Sequence, residues 1–118
     1  MLTKDTIAAA YDLLAITPPF NKWNLPDSDD VQFKVARDPH SYGWCNAWGR
    51  GKRREYLIAI SSRKVEHLSS LLSTMAHEII HLHLYMTGQD TNGEHNAAFS
   101  ALAKKVCRLH GFDSKAFL

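Results

Sequence analysis

Cysteine is scarce in this chain of 118 residues: Cys45 and Cys107 stand alone, far apart and in no C-x-x-C pair. That excludes a zinc ribbon and a disulfide framework, and two reduced, partly buried thiols are expected. No apolar run approaches the ~20 residues that a bilayer span needs, so no membrane partner is expected. The stretch from Met1 to Thr17 carries Asp5 and Asp12 inside its apolar pattern and does not read as a signal peptide, so a cytoplasmic location is expected. An excess of one charge is lacking too. Fourteen Lys and Arg against 12 Asp and Glu leave a net charge of +2, too little by itself to argue for a nucleic-acid partner. Repeats and low-complexity segments are absent, and nothing in the pattern specifies an oligomeric state. At 45% hydrophobic and 22% charged residues, the chain suits a single globular domain over 1–118.

One stretch dominates what is present. Thr74 to Leu82 contains His77-Glu78-Ile79-Ile80-His81, a His-Glu-x-x-His pattern. On a helix, residues four apart share a face, so His77 and His81 can offer imidazole nitrogens to one metal ion. Leu71, Leu72, Met75, Ile79, Ile80, Leu82 and Leu84 around them describe a buried helix. The plain alternative is a core helix whose two histidines hydrogen-bond elsewhere.

The flanking sequence reads as an α+β fold. Thr3 to about Ile16 is expected to be a helix, with Thr3 as its cap and Ile7, Ala10, Tyr11 and Leu14 on its inner face; Pro18 and Pro19 stop it. Phe20 to Asp30 is a loop that Trp23 and Leu25 pin to the core. Val31–Val35, Tyr42–Trp48 and Glu55–Ile60 are strand-like, with a glycine-rich hairpin turn between the last two. These short links predict a small, mostly antiparallel sheet. The second strand would place Tyr42, Trp44, Asn46 and Trp48 on one face, expected to pack against a helix in preference to lining a groove. The central helix is expected over Leu68–Thr87, with Gly88 as its stop. A polar loop over 89–93 follows, then a helix from about Glu94 to His110 ended by Gly111.

A catalytic zinc takes three protein ligands and keeps one position open for water, so a third ligand must join His77 and His81. Glu78, next to the first histidine, would take the proton of an attacking water and hand it to the leaving amine. A purely structural zinc would have no use for that carboxylate. The third ligand lies between two neighbours. His95 falls on the stripe with Phe99, Leu102 and Val106, and Glu94 falls off it; the 13 residues from His81 leave room for a helix end, a loop and a return. The competing choice is Glu94, or a more distant Asp, in a two-His, one-acid site. His83 is about 200° round the helix from His81 and cannot share the metal. Tyr85, one turn past His81, is expected to pack, with an oxyanion role as the alternative. His40 and His67 are expected at the surface and His110 near its own helix's last carbonyls.

Ser73 to His81, followed by His95-Asn96-Ala97-Ala98-Phe99, resembles the SprT-like/Spartan group of zinc metalloproteases. The resemblance implies a small zincin-like, minigluzincin-like domain with an N-terminal helix, a three-stranded sheet, the active-site helix and a ligand-bearing C-terminal helix. It implies one zinc per chain on His77, His81 and His95, Glu78 as general base, and protein substrates bound or crosslinked to DNA. Asn96 departs from the glycine common at its position, and the cysteine-rich ribbon that often follows such domains has no counterpart in these residues. The cluster Arg50, Lys52, Arg53 and Arg54 is the candidate DNA contact, or else a solvated turn. Two other readings compete: a non-catalytic, zinc-stabilised module that binds DNA or a protein, and a regulator-cleaving His-Glu-x-x-His peptidase with an acidic third ligand.

Overall fold

A computed structural model describes residues 1–117. Thr3 caps helix α1 (Lys4–Ala15) by accepting the Thr6 backbone N–H at 3.1 Å, and Ile7, Ala10, Tyr11 and Leu14 are its buried residues, as the periodicity predicts. After it the chain passes through two single 3-10 turns. Trp23 and Leu25 pack against the core there, and the Trp23 ring stacks on His83 with centroids 4.3 Å apart. His83 is thereby turned away from its neighbours His77 and His81.

Three strands follow: β1 (Gln32–Ala36), β2 (Gly43–Trp48) and β3 (Glu55–Ser61). The β2–β3 pair is the expected antiparallel hairpin, but the sheet is mixed, because β1 pairs parallel with β3 in the order β1-β3-β2. The link between β1 and β2 therefore crosses the end of β3. Two serines fasten it there. The buried Ser61 hydroxyl donates to the Asp38 carbonyl at 2.6 Å, its backbone N–H donates to the Tyr42 carbonyl at 2.8 Å, and the Ser62 N–H donates to Ala36.

The faces of β2 are the reverse of expectation. Its core side carries Cys45, in register with Ile58, and the aromatic side faces outward. Trp48 is 40% exposed and its indole N–H donates to Glu55 at 2.8 Å. Trp44 and Lys34 pair on either side of Ala59, with the ammonium 6.0 Å from the indole centroid. Small residues on the inner side let the sheet come close to the helix behind it, and that proximity excludes the bulky face.

That helix, α2 (Leu68–Thr87), runs through the middle of the core. Met75, Ala76, Ile79, Ile80, Leu82 and Leu84 have no exposed surface, which accounts for its nearly continuous apolar sequence. Gly88 ends it in the left-handed region at φ 71°, as its lack of a Cβ permits. Helix α3 (Ala97–His110) begins three residues later than the periodicity suggests. Asn96 is its cap, accepting the Phe99 N–H at 2.9 Å, so Glu94 and His95 lie in the preceding loop. Its buried stripe is Phe99, Ala103, Val106 and Cys107. His110 does not turn to its own helix's carbonyls; its Nε2 lies 2.7 Å from the Pro18 carbonyl and ties α3 to the end of α1. A last short helix, α4 (Ser114–Phe117), packs against α3 and α2. Among the described residues, no helix is long and apolar enough to cross a membrane.

Gly43 marks the tightest approach in the sheet: a Cβ there would sit 2.4 Å from the Ala59 carbonyl oxygen. Gly43→Ala must therefore push β2 off β3, and a loss of roughly 1–3 kcal/mol is expected, the usual scale of overpacking. Urea denaturation of the two forms measures it, and an unchanged midpoint would show that the strand pair yields freely.

Candidate metal centre

Helix α2 brings His77 and His81 onto one face, and the loop after it returns with His95. One ring nitrogen from each of the three lies within 4.8 Å of the others. Among the described residues this is the group of side chains able to hold a metal, and it contains no carboxylate. Glu94, the competing neighbour, is exposed and outside it. His95 reaches the group for a different reason than helical spacing. It precedes α3, and its ring lies flat on Phe99, with centroids 4.1 Å apart and planes 5° from parallel. Asn96 holds the loop: its side-chain amide donates to the Gln89 carbonyl and the Thr91 hydroxyl, both at 3.0 Å. The departure from glycine at this position thus ties one side of the loop to the other.

Which nitrogens face inward follows from what the others touch. His77 Nδ1 lies 2.7 Å from the Phe117 carbonyl, so it carries the proton and Nε2 keeps its lone pair. His81 Nδ1 faces Asp90, 3.9 Å from Oδ1. Three imidazoles with one nitrogen each within 4.8 Å of the others are a fitting donor set for zinc, which favours nitrogen ligands.

Burial sets the charge states. It holds the His77 imidazole down at about 4; the Phe117 carbonyl pulls the other way, and His81 and His95 add to the lowering. His81 is likewise held at about 4 by burial and then by His95, against the pull of Asp90. Burial also lowers His95. The Glu78 carboxyl, 4% exposed, is pushed up to about 8 by burial. Neutral imidazoles are the form a metal needs.

Two clefts flank Glu78, and Gly43, His77 and Glu78 line both. One, of about 530 Å³, opens toward Ser70, Ser73 and Phe117. The other, of about 330 Å³, opens toward Tyr85, Asn92 and His95 and includes Trp44. Tyr85, expected to pack, does so and also lines this second cleft; burial first, then Asp90, raises its phenol. Sequence patterns do not point to Phe117 or Gly43 as parts of the site. Asp90 leaves a faint signal, as an Asp three residues before a glycine in the 89–93 loop. The basic residues lie away from the clefts, at the β2–β3 turn. Arg50, Lys52 and Arg53 are exposed, whereas Arg54 is half-buried, its guanidinium 6.0 Å above the Tyr56 ring. The two cysteines are free and buried, as expected.

An α+β domain with His-Glu-x-x-His on its central helix and a third histidine folded back beside it has the build of a zincin-like, metal-binding domain. The model of the SprT-like family matches residues 20–116, and the chain belongs to that family, whose general character is that of a metalloprotease. No curated protein matches the chain.

The metal-free protein should show its charge states in its stability. Glu78 is raised from 4.5 to about 8, so its contribution is complete below pH 4.5 and is lost as pH climbs to about 8. His77 and His81 are lowered from 6.5 to about 4, so theirs is complete above pH 6.5 and is lost as pH falls to about 4. Thermal melting in chelator across this range should show both declines. Glu78→Gln should remove the alkaline one and keep the acid one; a variant that follows the wild-type curve on both sides would contradict a neutral, buried Glu78.

Proposed function

We propose that the chain is a zinc metalloendopeptidase domain that holds one zinc ion on His77, His81 and His95 and uses Glu78 as general base. The observation that carries this reading is the convergence of three histidine nitrogens within 4.8 Å, with a buried carboxyl on the helix that carries two of them. Zinc bound there supplies the Lewis acidity that makes water a nucleophile near neutral pH. Glu78 takes the proton from the attacking water and passes it to the leaving amine. The carboxyl that keeps its proton in the metal-free protein releases it more readily beside a cation.

The substrate is an extended peptide. Strand β2 is an edge of the sheet, and its residues Gly43 to Asn46 line the cleft, so a chain can add alongside it through backbone hydrogen bonds. Clefts on both sides of Glu78 accommodate residues before and after the scissile bond, which suits an endopeptidase. A structural zinc would call for four protein ligands, and the group among the described residues offers three. An acidic third ligand finds no support in the position of Glu94.

The proteins cut are those held near DNA, with the phosphate backbone contacted by the turn that carries Arg50, Lys52, Arg53 and Arg54, in the cytoplasm. Exposure of the first three of these supports the contact.

Two experiments test the reading. Wild type and Glu78→Gln purified without chelator should each contain one zinc per chain by elemental analysis, with protein turnover in the variant reduced a hundredfold or more. Zinc without turnover in the wild type would favour the binding-module reading, undiminished turnover in the variant would remove Glu78 as general base, and the absence of zinc from both would remove the metal. Separately, neutralising Arg50, Lys52 and Arg53 together should weaken binding of a labelled DNA oligonucleotide. Its salt dependence should flatten by up to about 0.9 logarithmic units for each phosphate that the variant no longer neutralises. A wild type without DNA affinity at low salt would end the DNA assignment and leave the peptidase assignment standing.

A further inference from the structure

Asp90 lies outside the three-histidine group, in the loop that joins α2 to His95, yet its carboxylate is turned inward. Its side chain is 6% exposed, and its Oδ1 lies 3.9 Å from His81 Nδ1, itself on a side chain 8% exposed. Both atoms are buried, and neither has a hydrogen-bond partner among the described residues. The other carboxylate oxygen is engaged: Oδ2 accepts the Gly93 backbone N–H at 2.9 Å. The loop therefore fixes one oxygen and presents the other to the imidazole. At 3.9 Å the pair falls short of hydrogen-bond distance. A buried nitrogen and a buried carboxylate oxygen that face each other without a hydrogen-bond partner are nonetheless complementary, and leaving both unpaired costs free energy; the Tyr85 phenol is another group that Asp90 acts on.

We propose that Asp90 is a positioning residue: its carboxylate accepts a hydrogen bond from the His81 Nδ1–H and so keeps the Nε2 lone pair of that ring directed at the metal. The assignment rests on the metal-site reading above. A metal-ligating imidazole commonly donates its other N–H to an outer acceptor, which fixes tautomer and ring orientation and makes the ligand more basic. His77 has such an acceptor in the Phe117 carbonyl. Asp90 supplies the equivalent for His81, with the difference that its acceptor is a carboxylate.

Asp90 also caps its own loop, and a purely structural role has to be separated from the proposed one. Asn does so. As a turn residue Asn serves as well as Asp, so a loop-capping role predicts that Asp90→Asn binds zinc like wild type. The positioning role predicts otherwise. If the amide oxygen keeps the Gly93 N–H, the amide NH2 faces His81 Nδ1. A donor there favours the ring tautomer protonated on Nε2, which withdraws the lone pair from the metal.

Zinc affinity of wild type, Asp90→Asn and Asp90→Ala is measured by competition with a chromophoric chelator, alongside melting of the metal-free forms. Both variants should bind zinc 10–100-fold more weakly than wild type, the usual effect of losing an outer acceptor, while metal-free Asp90→Asn melts like wild type. Long-range 15N–1H NMR of the His81 ring should show the proton on Nδ1 in wild type and on Nε2 in metal-free Asp90→Asn. Asp90→Asn with wild-type affinity, beside a wild type that binds tightly, overturns the positioning role and leaves the metal site intact. A wild type that takes up no zinc overturns both. Should the variants fail to fold, the wild-type spectrum decides alone, and a His81 proton on Nε2 overturns the proposal.

Discussion

Putting imidazoles and a carboxyl into the middle of an apolar helix is the constraint on which the rest of this structure depends. α2 is buried on almost every side, and a buried polar group without a partner costs free energy comparable to a lost hydrogen bond. The two histidines on its inner face are accordingly each faced by a separate part of the chain. His77 meets the carbonyl of Phe117 from α4, 40 residues further on. His81 faces Asp90 from the loop beyond the helix's own end. Glu78, which has only its own burial to answer, does so by holding its proton. The outer elements are thus arranged around the polar content of a core helix, and the apolar core fills the space between.

The same constraint explains why β2 carries its small side chains inward. A strand that approaches α2 with Gly43, Cys45 and Ala47 leaves open space over Glu78, and one that approached with Trp44 and Trp48 would fill it. The site is therefore a product of where bulk is missing as much as of where the three histidines stand. Gly43 figures twice, since its lack of a Cβ lets the strand seat on β3 and the same residue lines both clefts.

Features written in local spacing are legible in the sequence: the cap of α1, the extent of α2 with Gly88 as its stop, the β2–β3 hairpin and the pairing of His77 with His81. Features set by non-local competition are not. The parallel β1–β3 pairing depends on a link that crosses the end of β3, and its fastening by Ser61 and Ser62 has no local pattern. Periodicity starts α3 too early, because the apolar stripe extends back through His95. Asn96 ends the helix short of it by taking the Phe99 N–H, and His95 reaches its neighbours from a loop, resting on the Phe99 ring. The partners of the two histidines are illegible for the same reason: a backbone carbonyl at Phe117 leaves no trace in residue type.

The hairpin also sets a ruler. The basic turn follows the end of β2 opposite Gly43, the residue of the strand that both clefts share, and the six residues of β2 span ~20 Å at about 3.4 Å per residue. Anything gripped at the turn is therefore held a fixed distance from Glu78, and a rigid globular surface cannot bend across that gap and enter an edge-strand groove. A chain segment of about six extended residues can. Under the proposed function, a target anchored there would be cut only if it could release that length of unfolded chain, so susceptibility would follow local unfolding before it followed sequence.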